Sequence, residues 1–267
     1  REKENLEKWN AIYPGIAARV YGYHEEEANA SMLVEFLPGC TMDELLVGSD
    51  METLENAIFI LQQTLEEIWQ ATLEKMKFKI DFMGQLEARL SSILSIHPDL
   101  FRNPGKIGSR PIPGTRELID VCKFAQSRLA APLTVFIHGD FNINNLVYDH
   151  LAQRIRFIDL HRSGRFDYVQ DVSVFLVSNF RMPLFEIEQR SRINRVIESF
   201  WKFGSELAAK WEDRTYEARM ALALARSFYT STRFELNHSF AVEMYLRAHF
   251  MMEKIAAHGD RPWSDFK

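Results

Sequence analysis

The stretch FIHGDFNINNLVYD, Phe136 to Asp149, decides how this sequence is read. One apolar run ends at His138-Gly139-Asp140, and a second begins at Leu146, after Asn142, Asn144 and Asn145. Two short runs rich in Val, Ile and Phe with a polar turn between them read as strand, loop, strand. A Gly-Asp pair alone is explained by turn preference. The spacing says more. Asp140 and Asn145 stand five residues apart on one loop, and the next apolar run, RIRFIDL, brings Asp159 to its end. Asp167 and Asp171 follow, eight and then four residues on.

These residue types suit a metal-bound phosphate. Magnesium prefers hard oxygen ligands and keeps water and substrate phosphate in its shell. An Asn amide oxygen and a carboxylate, delivered from adjacent loops, provide such ligands. A separate carboxylate is then free to accept a proton from an attacking hydroxyl. Phosphoryl transfer asks little more of a protein than positioning and charge neutralisation.

An Asp, an Asn five residues on, and a metal-binding Asp at a later strand end also form the protein-kinase signature. With His138-Gly139-Asp140 in place of His-Arg-Asp, the pattern more closely resembles the aminoglycoside phosphotransferase and choline kinase family. That resemblance implies a protein-kinase-like fold and ATP and Mg2+ as cofactors. It implies Asp140 as the base, Asn145 and Asp159 as metal ligands, and His138 and Asp171 as structural supports of the loop. Upstream, SMLVEFLPGCTM (31–42) is similar to the family's strand-to-linker segment, which implies adenine contacts at Glu35, Phe36 and Leu37. KENLEKW (3–9) resembles the helix whose Glu pairs with the ATP-binding lysine, with Glu4 in that place and Glu7 as the alternative. The glycine-rich loop and the lysine itself do not precede this helix, and the chain opens without Met. The expectation is therefore an N-lobe remnant at 1–37, a C-lobe at 38–267, and a longer protein around them.

Composition agrees with a soluble small-molecule enzyme, as it does with most other cytosolic proteins. The 267 residues are 46% hydrophobic and 26% charged, with a net charge of -5, which gives no general pull toward nucleic acid or anionic membrane. The two cysteines, Cys40 and Cys122, have no disulfide or zinc spacing. No apolar run approaches the roughly 18 residues of a membrane span, and the charged start is not a signal peptide; a cytoplasmic location is expected. Of the eight histidines, the seven other than His138, His161 among them, read as surface or satisfied core residues. Asn142 and Asn144 read as loop formers.

Elsewhere the period is mostly helical. A helix is expected from Met51 to about Phe78, a shorter one over 82–94, and another over 117–129. The segment 97–117, with four prolines and three glycines, reads as a long loop. After Asp171, helices are expected over 171–180, 186–210, 214–234 and 240–257. The fold class is α+β, two-lobed, with a mostly helical C-lobe and a truncated N-lobe. The leading expectation is transfer of the γ-phosphate of ATP to a hydroxyl of a small molecule such as an aminoglycoside, choline or an amino alcohol. The alternative is a non-catalytic nucleotide-binding or scaffold protein on the same fold. The later helices and the 97–115 loop would form the acceptor side, and they mix acidic and basic residues.

Overall fold

A computed structural model describes residues 2–26 and 29–267. The chain divides into two compact units, one of residues 1–74 and 134–207, the other of residues 75–133 and 208–267. The first unit opens with α1 (Glu2–Ile12), the strands β1 (Val20–Glu26) and β2 (Asn29–Val34), β3 (Cys40–Thr41), α2 (Met42–Gly48) and α3 (Met51–Thr72). The second begins with β4 (Phe78–Lys79), α4 (Phe82–Glu87), α5 (Leu90–Leu94), β5 (Gly105–Ile107), β6 (Arg110–Ile112), α6 (Thr115–Ser127) and β7 (Ala130–Ala131). The chain returns to the first through β8 (Val135–Ile137), β9 (Leu146–Asp149), β10 (Arg154–Phe157), β11 (Gly164–Phe166), α7 (Val169–Phe180) and most of α8 (Ile187–Lys210). It closes the second with α9 (Tyr216–Ser231) and α10 (His238–His258). This is the expected α+β class, with helices predominating. Among the described residues, no helix is long and apolar enough to cross a membrane.

In the first unit, α3 follows its helical period. Leu54, Ile58, Leu61, Leu65, Ile68 and Trp69 are buried on one side, and Asp50 caps the N-terminus by accepting the Thr53 N–H at 2.7 Å. It stops at Thr72, short of the expected Phe78. Glu74 and Thr134 exchange two backbone hydrogen bonds at 2.9 Å, which draws the chain into extended form. Strands β10, β9 and β3 make one antiparallel sheet, with Phe157 opposite Leu146 and Cys40 opposite Tyr148. All four residues of β9 are buried, which explains a continuous apolar run instead of alternation. Strand β11 pairs antiparallel with β8, setting Gly164 against Ile137.

In the second unit the expected helix over 82–94 is two short helices. The turn at Ala88–Arg89 lets Phe82, Met83 and Leu86 on α4, and Leu90 and Ile93 on α5, all be buried. The expected long loop contains the β5–β6 hairpin, with Lys106 opposite Pro111. Helix α9 is buried on nearly every side, which suits its alanine-rich sequence. Asp213, just ahead of it, and Arg219 in its first turn form a salt bridge with both side chains fully buried. Removing one partner of such a pair leaves an uncompensated charge in the interior. Asp213→Ala is expected to lower the unfolding free energy by about 3–5 kcal/mol in urea denaturation. Lys202→Ala, which removes an exposed i,i+4 partner of Glu206, is expected to leave the midpoint unchanged.

Candidate active site

The site is built from the β8–β9 loop and the turn after β10. Asp171 lies buried in the first turn of α7, where the helix dipole favours a carboxylate. Its two oxygens accept the backbone N–H groups of His138 at 2.7 Å and Gly139 at 2.9 Å. Gln170 Nε2 donates to the Gly139 carbonyl at 3.1 Å. Gly139 has φ +84°, and a Cβ there would lie 2.3 Å from the Arg162 carbonyl oxygen. Glycine is thus required twice, by its conformation and by the approach of the two loops.

His138 joins the same two loops. Its Nε2 donates to the Ile158 carbonyl at 2.9 Å, and its Nδ1 accepts the Asp140 N–H at 3.3 Å. That pattern fixes a neutral ring protonated on Nε2. Burial pushes its pKa down from 6.5 to about 4, against the opposing pull of the Ile158 carbonyl and of Asp140 and Asp159. Phe141 and Phe157 pack on the ring with centroids 5.7 Å away.

Asp140 is largely enclosed. Its Oδ1 accepts Asn142 Nδ2 at 2.6 Å, and its Oδ2 pairs with the Arg162 guanidinium at 2.9 Å. Asn145 donates from Nδ2 to the Asp140 carbonyl at 2.9 Å, which leaves its Oδ1 as an oxygen donor. Its own carbonyl accepts the Ile158 N–H at 3.0 Å. Asn145 and Asp159 are therefore held one residue apart across the two loops.

Asp159 takes a left-handed conformation, φ 57° and ψ 55°, which costs a residue other than glycine about 1–3 kcal/mol. Its neighbours enforce it. Ile158 is fixed by Asn145 and His138, and the Leu160 carbonyl accepts Asn5 Nδ2 from α1 at 2.6 Å. Trp9, also on α1, is fully buried against Phe136 and Phe157 and donates from Nε1 to Ser163 Oγ at 2.8 Å. Ser163 Oγ in turn donates to the His138 carbonyl at 3.2 Å. The Asp159 side chain itself is about half exposed and accepts His161 Nδ1 at 2.5 Å.

Among the described residues, no group of three or more His, Cys, Asp or Glu side chains makes a complete metal cage. Asn145 Oδ1 and the Asp159 carboxylate instead offer two hard oxygens from opposed loops. This donor set suits magnesium, which takes one or two protein oxygens and completes its shell with water and phosphate.

The linker residues lie in the same unit. The Glu35 N–H donates to the Arg19 carbonyl at 2.8 Å, and the Glu35 carboxylate takes the Arg19 N–H at 3.2 Å and Arg156 at 3.3 Å. Burial raises the Glu35 pKa, but these donors outweigh it and hold the carboxyl below its usual range. The Glu35 N–H and carboxylate therefore already have partners within the fold. Phe36 is 86% exposed. Glu4 is exposed on α1, and Glu7 pairs with Lys3 at 3.7 Å.

The structure brings Asp140, Asn145, Asp159, His138 and Asp171 together. Sequence reading passed over Asn142, His161, Arg162, Ser163, Asn5 and Trp9. For Asn142 a signal existed: an Asn two residues after Asp140 is within reach of its carboxylate. For Asn5 and Trp9 no local signal exists, because their partners lie more than 150 residues away.

Comparison with known proteins gives a concordant picture. A profile of the phosphotransferase enzyme family matches residues 11–203. No curated protein matches the sequence. Among solved structures, aminoglycoside phosphotransferase APH(3'')-Id from Streptomyces rimosus, in complex with ADP and streptomycin, is 20% identical with a TM-score of 0.52, covering 85% of this chain and 80% of its own. A choline/ethanolamine kinase family protein from Mesorhizobium loti is 13% identical with a TM-score of 0.53, covering 96% and 82%. A thermostable mutant of aminoglycoside phosphotransferase APH(4)-Ia, in its apo form, is 14% identical with a TM-score of 0.57, covering 96% and 84%. At these identities the likeness is one of fold.

The buried neutral His138 has a consequence for stability. Its folded pKa of about 4 lies below its ordinary value of 6.5, so the unfolded chain binds the proton more readily between those values. Its contribution is complete above pH 6.5 and is lost as pH falls toward 4, a change of roughly 3 kcal/mol. Unfolding midpoints measured from pH 7 to 4 should fall through this window. They should fall less in His138→Gln, although that variant starts lower. Equal slopes for both proteins would contradict a buried neutral His138.

Proposed function

The chain belongs to the phosphotransferase enzyme family, and we propose that it transfers the γ-phosphate of ATP to a hydroxyl of a small molecule of the aminoglycoside, choline or amino-alcohol kind. The observation that carries this reading is the convergence of Asp140, Asn145 and Asp159 on two loops tied by the Ile158 N–H to Asn145 carbonyl bond. In this reading Asn145 Oδ1 and the Asp159 carboxylate hold magnesium. When bound, magnesium neutralises charge on the transferring phosphates.

Asp140 then orients the acceptor hydroxyl and takes its proton. Both of its oxygens already have partners, Asn142 and Arg162, but a carboxylate offers about four lone-pair sites. Each oxygen keeps one for the hydroxyl, with the carboxylate plane fixed beforehand by its two neighbours. Such preorganisation is where a phosphotransferase gains most of its rate. His138 and Asp171 keep the loop in place without touching substrate. The backbone of residues 35–37 receives the adenine.

Asp140→Ala is expected to reduce acceptor-dependent ADP release by about 100- to 10,000-fold. ADP binding by calorimetry should stay close to wild type. A panel of aminoglycosides, choline, amino alcohols and sugars, assayed with magnesium, identifies the acceptor. Unchanged turnover in Asp140→Ala with an acceptor that supports activity would remove Asp140 from the mechanism.

A further inference from the structure

His161 stands between the two carboxylates of the site. Arg162 Nε–H approaches His161 Nε2 at 3.1 Å, and a guanidinium can only donate. Nε2 is therefore the unprotonated acceptor, and the ring carries its proton on Nδ1. That Nδ1–H points at Asp159 Oδ1, 2.5 Å away. On its other side Arg162 pairs with Asp140 Oδ2 at 2.9 Å. The result is a continuous chain of donors and acceptors, Asp159, His161, Arg162, Asp140, in which the His161 tautomer is set by its neighbours.

We propose that His161 is a positioning residue for the cation. By engaging one oxygen of Asp159 it fixes the rotation of the carboxylate and presents the other oxygen, Oδ2, as a single ligand. Asp159 needs such a fixture. Its backbone is clamped in the left-handed conformation, but its side chain is about half exposed and His161 is the partner that orients it. Outer partners of this kind hold ligating carboxylates, and their loss typically weakens metal affinity about 10- to 100-fold. The same ring steadies Arg162 and so links the ligand end of the site to the Asp140 end. The inference rests on the reading of Asp159 as a metal ligand.

The two ring nitrogens can be tested separately. In His161→Asn the side-chain amide places an N–H donor where Nδ1 stands. In His161→Gln the amide reaches the Nε2 position and leaves the Nδ1 position empty. Mn2+ is titrated into the full chain saturated with ADP, and free Mn2+ is read by electron paramagnetic resonance. His161→Ala and His161→Gln are expected to bind Mn2+ about 10- to 100-fold more weakly, with His161→Asn close to wild type. Wild-type affinity in His161→Ala, tighter binding in it, or an Asn variant as weak as the Ala variant would overturn the proposal. Asp159→Asn separates the two levels. If it binds Mn2+ as wild type does, the assignment of Asp159 as ligand fails. If it loses affinity while His161→Ala does not, only the role of His161 fails.

Discussion

The carboxylate of Asp171 accepts two consecutive backbone N–H groups, those of His138 and Gly139, and the geometry of the site follows from that contact. A buried carboxylate is costly unless it is hydrogen-bonded, and buried backbone N–H groups are costly unless they are paired. Here each satisfies the other. Asp171 is fixed by α7, so the loop it holds is referenced to a rigid helix. Gly139 can then lie against the Arg162 carbonyl, and His138 can reach the Ile158 carbonyl. Asp140 leaves the turn with its side chain facing Asn142 and Arg162.

The second constraint is strain. Asp159 adopts a backbone conformation that favours glycine, and it persists because neighbours on both sides leave no alternative. Asn145 and His138 hold Ile158, Asn5 holds Leu160, and Trp9 holds Ser163. Helix α1 therefore contributes to the site through its polar side chains as well as its buried face. Displacing α1 would release the Leu160 carbonyl and the Ser163 hydroxyl together.

Much of this was legible in the sequence. The five-residue spacing of Asp140 and Asn145, the strand-end position of Asp159 and the carboxylate at 171 are local facts, and so are the helical periods after α7. What sequence reading missed depends on contacts between distant residues. His161 showed no metal-ligand spacing because its partners are Asp159 and Arg162 rather than another histidine. Asn5 and Trp9 carry no local signal, because their partners Leu160 and Ser163 lie more than 150 residues along the chain. The 82–94 segment has one helical period, yet it folds as two helices because the turn buries both apolar clusters. The proline-rich segment contains a hairpin in which Pro111 stands at a short exposed edge, where a missing N–H is tolerated.

The most direct test of the central claim is a crystal structure of the chain with magnesium and a non-hydrolysable ATP analogue. The expected result is a cation held by Asn145 Oδ1 and the Asp159 carboxylate, hard oxygens of the kind magnesium takes, with Asp140 not among its ligands. A bound nucleotide whose cation lies away from Asn145 and Asp159 would contradict it.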